Sequence, residues 1–201
     1  MSMTDSPIAL LILISTVGIS LYGLYKDNTL IYRMVLHPWS VYHEKKYYQL
    51  ISSGFVHGDL SHLMFNMLTF FFFAFNLEIV VGSISFLIIY TFSLVLSDIP
   101  TILRNKDNPN YRSLGASGAI SGVLFSSILF FPTNEIYIFF IPIGIPAPIF
   151  GILYLAYCWW AAKKGQGNIN HDAHFWGAAA GILTTVILYP GVIPYFIEQI
   201  F

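Results

Sequence analysis

Residues 115–122 read Gly115-Ala116-Ser117-Gly118-Ala119-Ile120-Ser121-Gly122, so Ser117 stands among small side chains. The segment before this stretch is polar, and residues 123–131 after it are apolar or uncharged. This change predicts a loop that delivers Ser117 to the first turn of a helix, which then enters an apolar medium. Small neighbours leave room for a second backbone, so we expect a reacting group to be able to approach Ser117.

The composition indicates a membrane protein. Of the 201 residues, 56% are hydrophobic and 9% are charged, whereas a soluble domain carries roughly a quarter charged residues. Six runs lack charged residues, and five of them approach the roughly 20 residues that cross a bilayer as a helix. The other run is longer and is interrupted by prolines, so only its second half is taken as a span. We predict one all-α membrane domain over residues 1–201, with spans at about 7–25, 60–77, 79–97, 115–131, 147–162 and 172–189.

Several classes of protein can be excluded. The net charge of −1 leaves no basic surface for nucleic acid, and the single cysteine, Cys158, excludes an internal disulfide framework. The first apolar run has no cationic start and no cleavage site, which indicates a retained helix rather than a signal peptide. The connection 26–56 mixes aromatic and charged residues, and this suits either an interfacial segment or a packed extramembrane lid.

Polar residues recur at the starts of spans two and six. His62 and Asn66 are four residues apart, so they share one helix face. Inside a membrane such groups need partners, and they either line a wet cavity or join helices structurally. His174 is followed by Gly177 and Gly181 on one stripe of its helix, which predicts a groove for a neighbouring helix.

These residues are expected to meet at one depth. Spans two, four and six enter the membrane from the same side, because two crossings separate each from the next. A serine and a histidine at equal depth can form a dyad in which the imidazole of His174 removes the hydroxyl proton of Ser117. Asp172 lies on a different helix face and is not assigned as a third member. An oxyanion hole is then needed all the more, and His62, Asn66 and the Ser117 N–H are the candidate donors.

Three motifs resemble the rhomboid family of intramembrane serine proteases, and the resemblance runs through roughly the whole chain beyond span one. They are Gly-Ala-Ser-Gly-Ala at 115–119, His62-x-x-x-Asn66 with His57 five residues earlier, and His174-x-x-Gly177-x-x-x-Gly181. The resemblance implies that Ser117 is the nucleophile and His174 the general base. It assigns the oxyanion hole to His62, Asn66 and Ser117, and supporting roles to His57, Gly115, Gly118, Gly177 and Gly181. It also implies a bundle of six transmembrane helices around a water-filled cavity, with a short central fourth helix.

The resemblance further implies what this protein acts on. Substrates would be single-span membrane proteins, cut near or within the bilayer at sites with small residues, and no metal or cofactor is expected. Substrates would enter laterally between spans two and five, where we predict a gate formed by Phe65 and either Trp159 or Trp160. The loop 163–170 would cap the site.

Two positions in the sequence depart from the family, and the charge distribution conflicts with what the family implies. Ser121 occupies a position where an aromatic ring often stacks on the histidine, so another group must hold His174. Tyr48 and Gln49 replace the Trp-Arg pair that often precedes span two. All nine Lys and Arg residues lie on the side of the predicted site, which the positive-inside rule would place in the cytoplasm. The family implies the opposite, and we follow it, with an extracytoplasmic active face in the cell (inner) membrane.

Two other functions stay open at this point. A non-catalytic rhomboid-like protein would bind membrane proteins without cutting them, although the complete set of polar residues argues against it. A metal or transport protein could be built on four histidines, but the glycine-flanked serine would then be unexplained. Those histidines are His57, His62, His171 and His174.

Overall fold

A computed structural model describes residues 3–138, 142–164 and 170–201. Within these ranges the fold is helical apart from one short hairpin. The α-helices are α1 (Pro7–Tyr25), α2 (Asn28–Met34), α3 (Pro38–His43), α4 (Gln49–Ser52), α5 (Leu60–Val81), α6 (Ser83–Asn105), α7 (Ser117–Phe130), α8 (Ala147–Lys164), α9 (His171–Leu188) and α10 (Val192–Ile200). The hairpin pairs β1 (Glu135–Tyr137) with the antiparallel strand β2 (Gly144–Pro146) between α7 and α8.

Three of the described helices, α1, α5 and α6, are long and apolar enough to cross a membrane. Helices α9 and α10 add a fourth span if they are counted together, although the chain bends by 107° between them. Helix α7 has 14 residues, which makes it about 21 Å long and shorter than the roughly 30 Å hydrocarbon core. The chain is therefore an integral membrane protein, and the count of six spans stays a prediction.

Helix α7 is enclosed by the rest of the bundle. Residues 118–129 are all buried, and α7 packs against α5, α6, α8 and α9. A helix that is apolar on every side must be covered on every side, and here other helices provide the cover. The serine stretch therefore begins a buried, central helix.

Glycines bring α7 and α9 into backbone contact. A Cβ atom added to Gly177 would lie 2.7 Å from the carbonyl carbon of Gly118, and one added to Gly181 would lie 2.7 Å from that of Gly122. Both distances are too short for a carbon atom, so any larger residue would push the two helices apart. This contact holds the first turns of α7 and α9 side by side.

A buried carboxyl group anchors the start of α1. Glu78, near the end of α5, accepts hydrogen bonds from the N–H groups of Ile8 (3.1 Å) and Ala9 (2.6 Å) and from the hydroxyl of Ser83 (2.6 Å). The first N–H groups of a helix have no partner within the helix, and an acidic group also complements the helix dipole. Glu78 thereby joins α1, α5 and the start of α6.

The connection between α1 and α5 is folded onto the bundle. Leu36 and Ser113 exchange two backbone hydrogen bonds of 2.9 and 3.0 Å, which tie this connection to the segment just before α7. Leu36 and Val41 are buried against Ile102 of α6. Aromatic rings such as Tyr32, which is 72% exposed, point outward. The segment is packed as a layer, and its contact with lipid stays a prediction.

The largest differences from the predicted helices lie at the end of α6 and after α9. Helix α6 continues to Asn105, beyond the predicted end near residue 97, because polar residues end an apolar run without ending the helix. The last helix, α10, has no predicted counterpart. Pro190 and Gly191 follow the end of α9 and turn the chain before α10 begins.

Candidate active site

Ser117 is the first residue of α7 and is half-buried. The turn that precedes it depends on Gly115, whose φ of +107° is rarely accessible to a residue with a Cβ atom. The Gly115 N–H donates a hydrogen bond to the carbonyl of Ser53 (3.0 Å) and fixes this turn. The serine therefore stands at a helix N-terminus, where free N–H groups and the helix dipole favour negative charge.

His62 and Asn66 of α5 lie directly against this turn. A Cβ atom on Gly115 would lie 2.7 Å from Cε1 of His62 and 3.4 Å from Nδ2 of Asn66, so a larger residue would displace them. Asp59 accepts a hydrogen bond from the backbone N–H of His62 (2.8 Å) and caps the first turn of α5. The two side chains that the sequence predicts as oxyanion donors thus border the backbone that leads into Ser117.

Two cavities meet at the serine. The first, of about 610 Å³, lies between α5, α7 and α8 and is lined largely by apolar side chains. The second, of about 800 Å³, is bordered by the starts of α5 and α9, part of α6 and the loop before α7, and it is also lined by His62. Four residues line both cavities: Phe65, Asn66, Ser117 and His174. A molecule in either cavity can therefore reach the serine and the histidine.

The ring of His174 is stacked on a tyrosine from α8. The Tyr154 ring lies 6.3 Å from it between centroids, at an interplanar angle of 15°. The hydroxyl of Ser121 donates a hydrogen bond to the Ser117 carbonyl (2.9 Å). The Tyr154 hydroxyl lies 2.9 Å from the same Ser121 oxygen. Because the Ser121 proton is already used, Tyr154 is the donor in this second hydrogen bond. The small side chain at position 121 leaves space that an aromatic ring from another helix fills. Sequence reasoning missed Tyr154, because nothing distinguishes it from the other aromatic residues of α8.

A buried chain of hydrogen bonds orients the amide of Asn66. The hydroxyl of Ser20, on α1, donates to the carbonyl of Phe55 (2.9 Å) and lies 3.0 Å from Nδ1 of His57. Because the Ser20 proton is already used, His57 donates from Nδ1 and accepts at Nε2, where Nδ2 of Asn66 lies 2.8 Å away. One N–H of Asn66 is held in this way, which leaves the other for the cavities that Asn66 lines.

Electrostatics favour the same protonation state of His57. This residue is fully buried, and burial, reinforced by the neighbouring His62, lowers the pKa of His57 to about 3. The imidazole is therefore neutral at physiological pH and keeps the lone pair that accepts the N–H of Asn66. Both nitrogens of His57 are engaged, which argues against a metal site built on this histidine.

The carboxyl group nearest in sequence to His174 has a different partner. Asp172 forms an ion pair with Arg104 at the end of α6. His174 is instead flanked by rings, Tyr154 on its face and His171 edge-on at 5.8 Å. Asp172 is therefore engaged away from His174, and the dyad of Ser117 and His174 stays a prediction.

The predicted gate residues lie on two helices. Phe65 lines both cavities and is 49% exposed. Trp159 and Trp160 are also exposed, and the ammonium groups of Lys163 and Lys164 lie over their rings at 3.7 and 4.4 Å. Neither tryptophan is among the described residues that line the two cavities, so their part in a gate stays a prediction.

Most of the predicted cap, residues 165–169, lies outside the described residues. Its last residue, Asn170, caps α9 by accepting a hydrogen bond from the N–H of Ala173 (3.1 Å). The amide of Asn170 also donates to the hydroxyls of Thr101 (2.9 Å) and Ser113 (3.3 Å). This end of the cap is therefore fixed to α6 and to the loop before the serine.

Comparison with known proteins identifies the family. Residues 44–191 match the Rhomboid domain model. The chain is 29% identical over 150 residues to RHOMBOID-like protein 12, mitochondrial, of Arabidopsis thaliana (67% of this chain, 44% of that protein). It is 32% identical over 144 residues to "Putative rhomboid protease YdcA" of Bacillus subtilis (71% and 67%) and 30% identical over 142 residues to Rhomboid protein 1, mitochondrial, of Saccharomyces cerevisiae (67% and 40%).

The extent of these matches differs between relatives. The chain spans less than half of the two mitochondrial proteins and two thirds of the bacterial one. The family model covers well over half of the chain, including α5, α6, α7, α8 and α9. The protein with this helical bundle and these polar residues at the head of α7 belongs to the rhomboid family of membrane proteins.

Proposed function

We propose that the protein is an intramembrane serine endopeptidase that cleaves single-span membrane proteins. The observation that carries this proposal is the shared position of Ser117, His174 and Asn66 on two cavities that meet at the start of α7. A nucleophile, a base and an oxyanion donor on one accessible surface are the parts that acyl transfer requires. The name of the Bacillus relative supports the same class of reaction.

The chemistry follows from the groups present. Nε2 or Nδ1 of His174 takes the hydroxyl proton of Ser117 as its oxygen attacks the scissile carbonyl, and the carbonyl oxygen becomes an oxyanion. The free N–H of Asn66, the His62 ring and the Ser117 N–H are the donors for that oxyanion, and loss of one donor typically raises the barrier by about 2.7–4 kcal/mol. His174 then passes its proton to the leaving amine, and water hydrolyses the acyl-enzyme by the same steps in reverse order.

The first cavity supports the choice of substrate. It runs between α5 and α8 down the side of α7, and its lining is rich in phenylalanine and isoleucine. A transmembrane segment entering laterally would find an apolar surface here, with the serine at the upper end. The small residues around Ser117 leave room for a peptide backbone, and small residues at the cleavage site of the substrate would let that backbone come close to Ser117. We assign the site to the extracytoplasmic face of the cell (inner) membrane.

The test uses the purified protein in lipid vesicles with a panel of single-span membrane proteins. Wild type should cleave at least one of them and should react with a fluorophosphonate probe. Ser117→Ala should lose both activities, but its unfolding temperature should equal that of wild type. Asn66→Ala should slow cleavage by about a hundredfold without abolishing it. If the wild type retains substrates without labelling or cleavage, the protein is a non-catalytic binder and the proposal fails.

A further inference from the structure

Two metal-binding side chains lie next to His174, and the three together could hold a metal ion. Cys158 of α8 and His171 and His174 of α9 each offer one ligand atom, and these atoms lie within 4.8 Å of one another. Cys158 has no exposed surface and His171 is 7% exposed. One thiol and two imidazoles are the donors that zinc prefers, whereas magnesium and calcium need oxygen ligands.

His171 gives an independent indication of a ligand. Its Nδ1 is buried and has no hydrogen-bond partner among the described residues, an arrangement that is unfavourable for a polar atom. The ring is also held by packing, because Tyr157 meets it edge-on at 5.3 Å and His174 at 5.8 Å. A metal ion at this nitrogen would give it a partner without moving the ring far.

We propose that Cys158, His171 and His174 form a Zn²⁺ site whose occupation switches the protease off. Ligand atoms around a tetrahedral zinc lie roughly 3.3–3.6 Å apart, so these side chains have to close by about 1.5 Å at most, which rotation about their χ angles supplies. A water molecule would occupy the fourth coordination position of the ion. The ion would arrive through the cavities that His174 lines.

The inhibitory part of this inference rests on the proposed function. An imidazole bound to a divalent ion has a much lower affinity for a proton, whichever of its nitrogens is the ligand. His174 could then no longer take the hydroxyl proton of Ser117. The thiol of Cys158 loses its proton on binding, as metal ligation by cysteine requires.

Metal binding can be measured without any proteolysis. The probe is Co²⁺ added to purified Ser117→Ala protein, because a thiolate ligand gives cobalt a charge-transfer absorption band that other sites lack. We expect Ser117→Ala to show this band and Zn²⁺ to displace the cobalt and remove the band. The double variant that carries both Ser117→Ala and Cys158→Ala should show no band. His171→Ala should weaken binding at least roughly tenfold, and His43→Ala, at an exposed histidine of α3, should leave it unchanged. A band that survives Cys158→Ala, or no band at all, overturns the site.

The effect on activity is measured separately, with otherwise wild-type protein. Zn²⁺ should inhibit cleavage and a chelator should restore it. Cys158→Ala, measured against its own rate in chelator, should need at least roughly ten times more Zn²⁺ for inhibition. Equal inhibition of both proteins overturns the switch. If no protein cleaves any substrate, the proposed function fails, and the cobalt spectrum still decides whether the metal site exists.

Discussion

At the scale of single residues, Tyr154 supplies the aromatic ring that stacks on His174, because position 121 is a serine. It stacks on His174, and its hydroxyl reaches Ser121, so it holds both the proposed base and the turn that carries the proposed nucleophile. We therefore assign it as a positioning residue for His174. A base displaced by about 1 Å can cost a hundredfold in rate.

Two substitutions separate the contributions of the ring and the hydroxyl. Tyr154→Phe keeps the stack and should lower kcat only slightly, whereas Tyr154→Leu removes the stack and should lower kcat roughly tenfold to a hundredfold with little change in KM. The pH profile of kcat in Tyr154→Leu should also shift, because the imidazole gains contact with water. Equal kcat values and pH profiles for Tyr154→Leu and wild type would rule out this role.

Ser20 contacts the proposed oxyanion hole, through His57, from a helix outside the motifs. By fixing the tautomer of His57 it determines which way the Asn66 amide points. Ser20→Ala should lower kcat roughly tenfold, and it should have no further effect in protein that already carries Asn66→Ala. Ser15→Ala is the matched control, since the Ser15 hydroxyl bonds to carbonyl groups of its own helix. Additive effects of Ser20→Ala and Asn66→Ala would mean that Ser20 acts elsewhere.

At the scale of helices, Glu78 is the group that attaches α1 to the bundle. It is 1% exposed and accepts from two N–H groups at the start of α1. Glu78→Ala leaves these groups without an acceptor, so we expect a loss of about 2–4 kcal/mol in the free energy of unfolding. Unfolding in detergent followed by circular dichroism measures this loss. Glu198→Gln, at an exposed position of α10, should be neutral, and an equally neutral Glu78→Ala would contradict the anchoring role.

The difference between contacts within one helix and contacts between helices explains how far the sequence could predict the site. Spacing within one helix is readable, so His62 with Asn66 and His174 with Gly177 were identified from their intervals alone. Contacts between helices depend on rotation and tilt, which no interval encodes. Tyr154 is one of many aromatic residues in α8, and Ser20 lies in a span that the motifs do not include. Cys158 comes near His171 and His174 only because α8 packs beside the start of α9, so the sequence alone could not add this cysteine to the histidines.

At the scale of the whole molecule, the charge distribution and the family make opposite predictions about orientation. All nine Lys and Arg residues lie on the side of the active-site cavities, counted by the parity of the predicted spans. The positive-inside rule counts Lys and Arg in short loops near the ends of the spans, whereas long loops and folded domains cross the membrane largely regardless of their charge. Here several of these residues belong to a folded layer, in which Leu36 pairs with Ser113 and Val41 is buried on α6. The rule is therefore weakened on this side of the protein.

Orientation can be measured with single cysteines, because the one native thiol, Cys158, is buried and Cys158→Ala gives a cysteine-free background. We expect Lys45→Cys and Lys164→Cys to react with a membrane-impermeant maleimide in intact cells, as an extracytoplasmic active face requires. Thr133→Cys, exposed in the connection between α7 and α8, lies on the opposite side and should react only after permeabilisation. The reverse pattern would place Ser117 near the cytoplasmic face, and substrates would then be cut at the other end of their transmembrane segments.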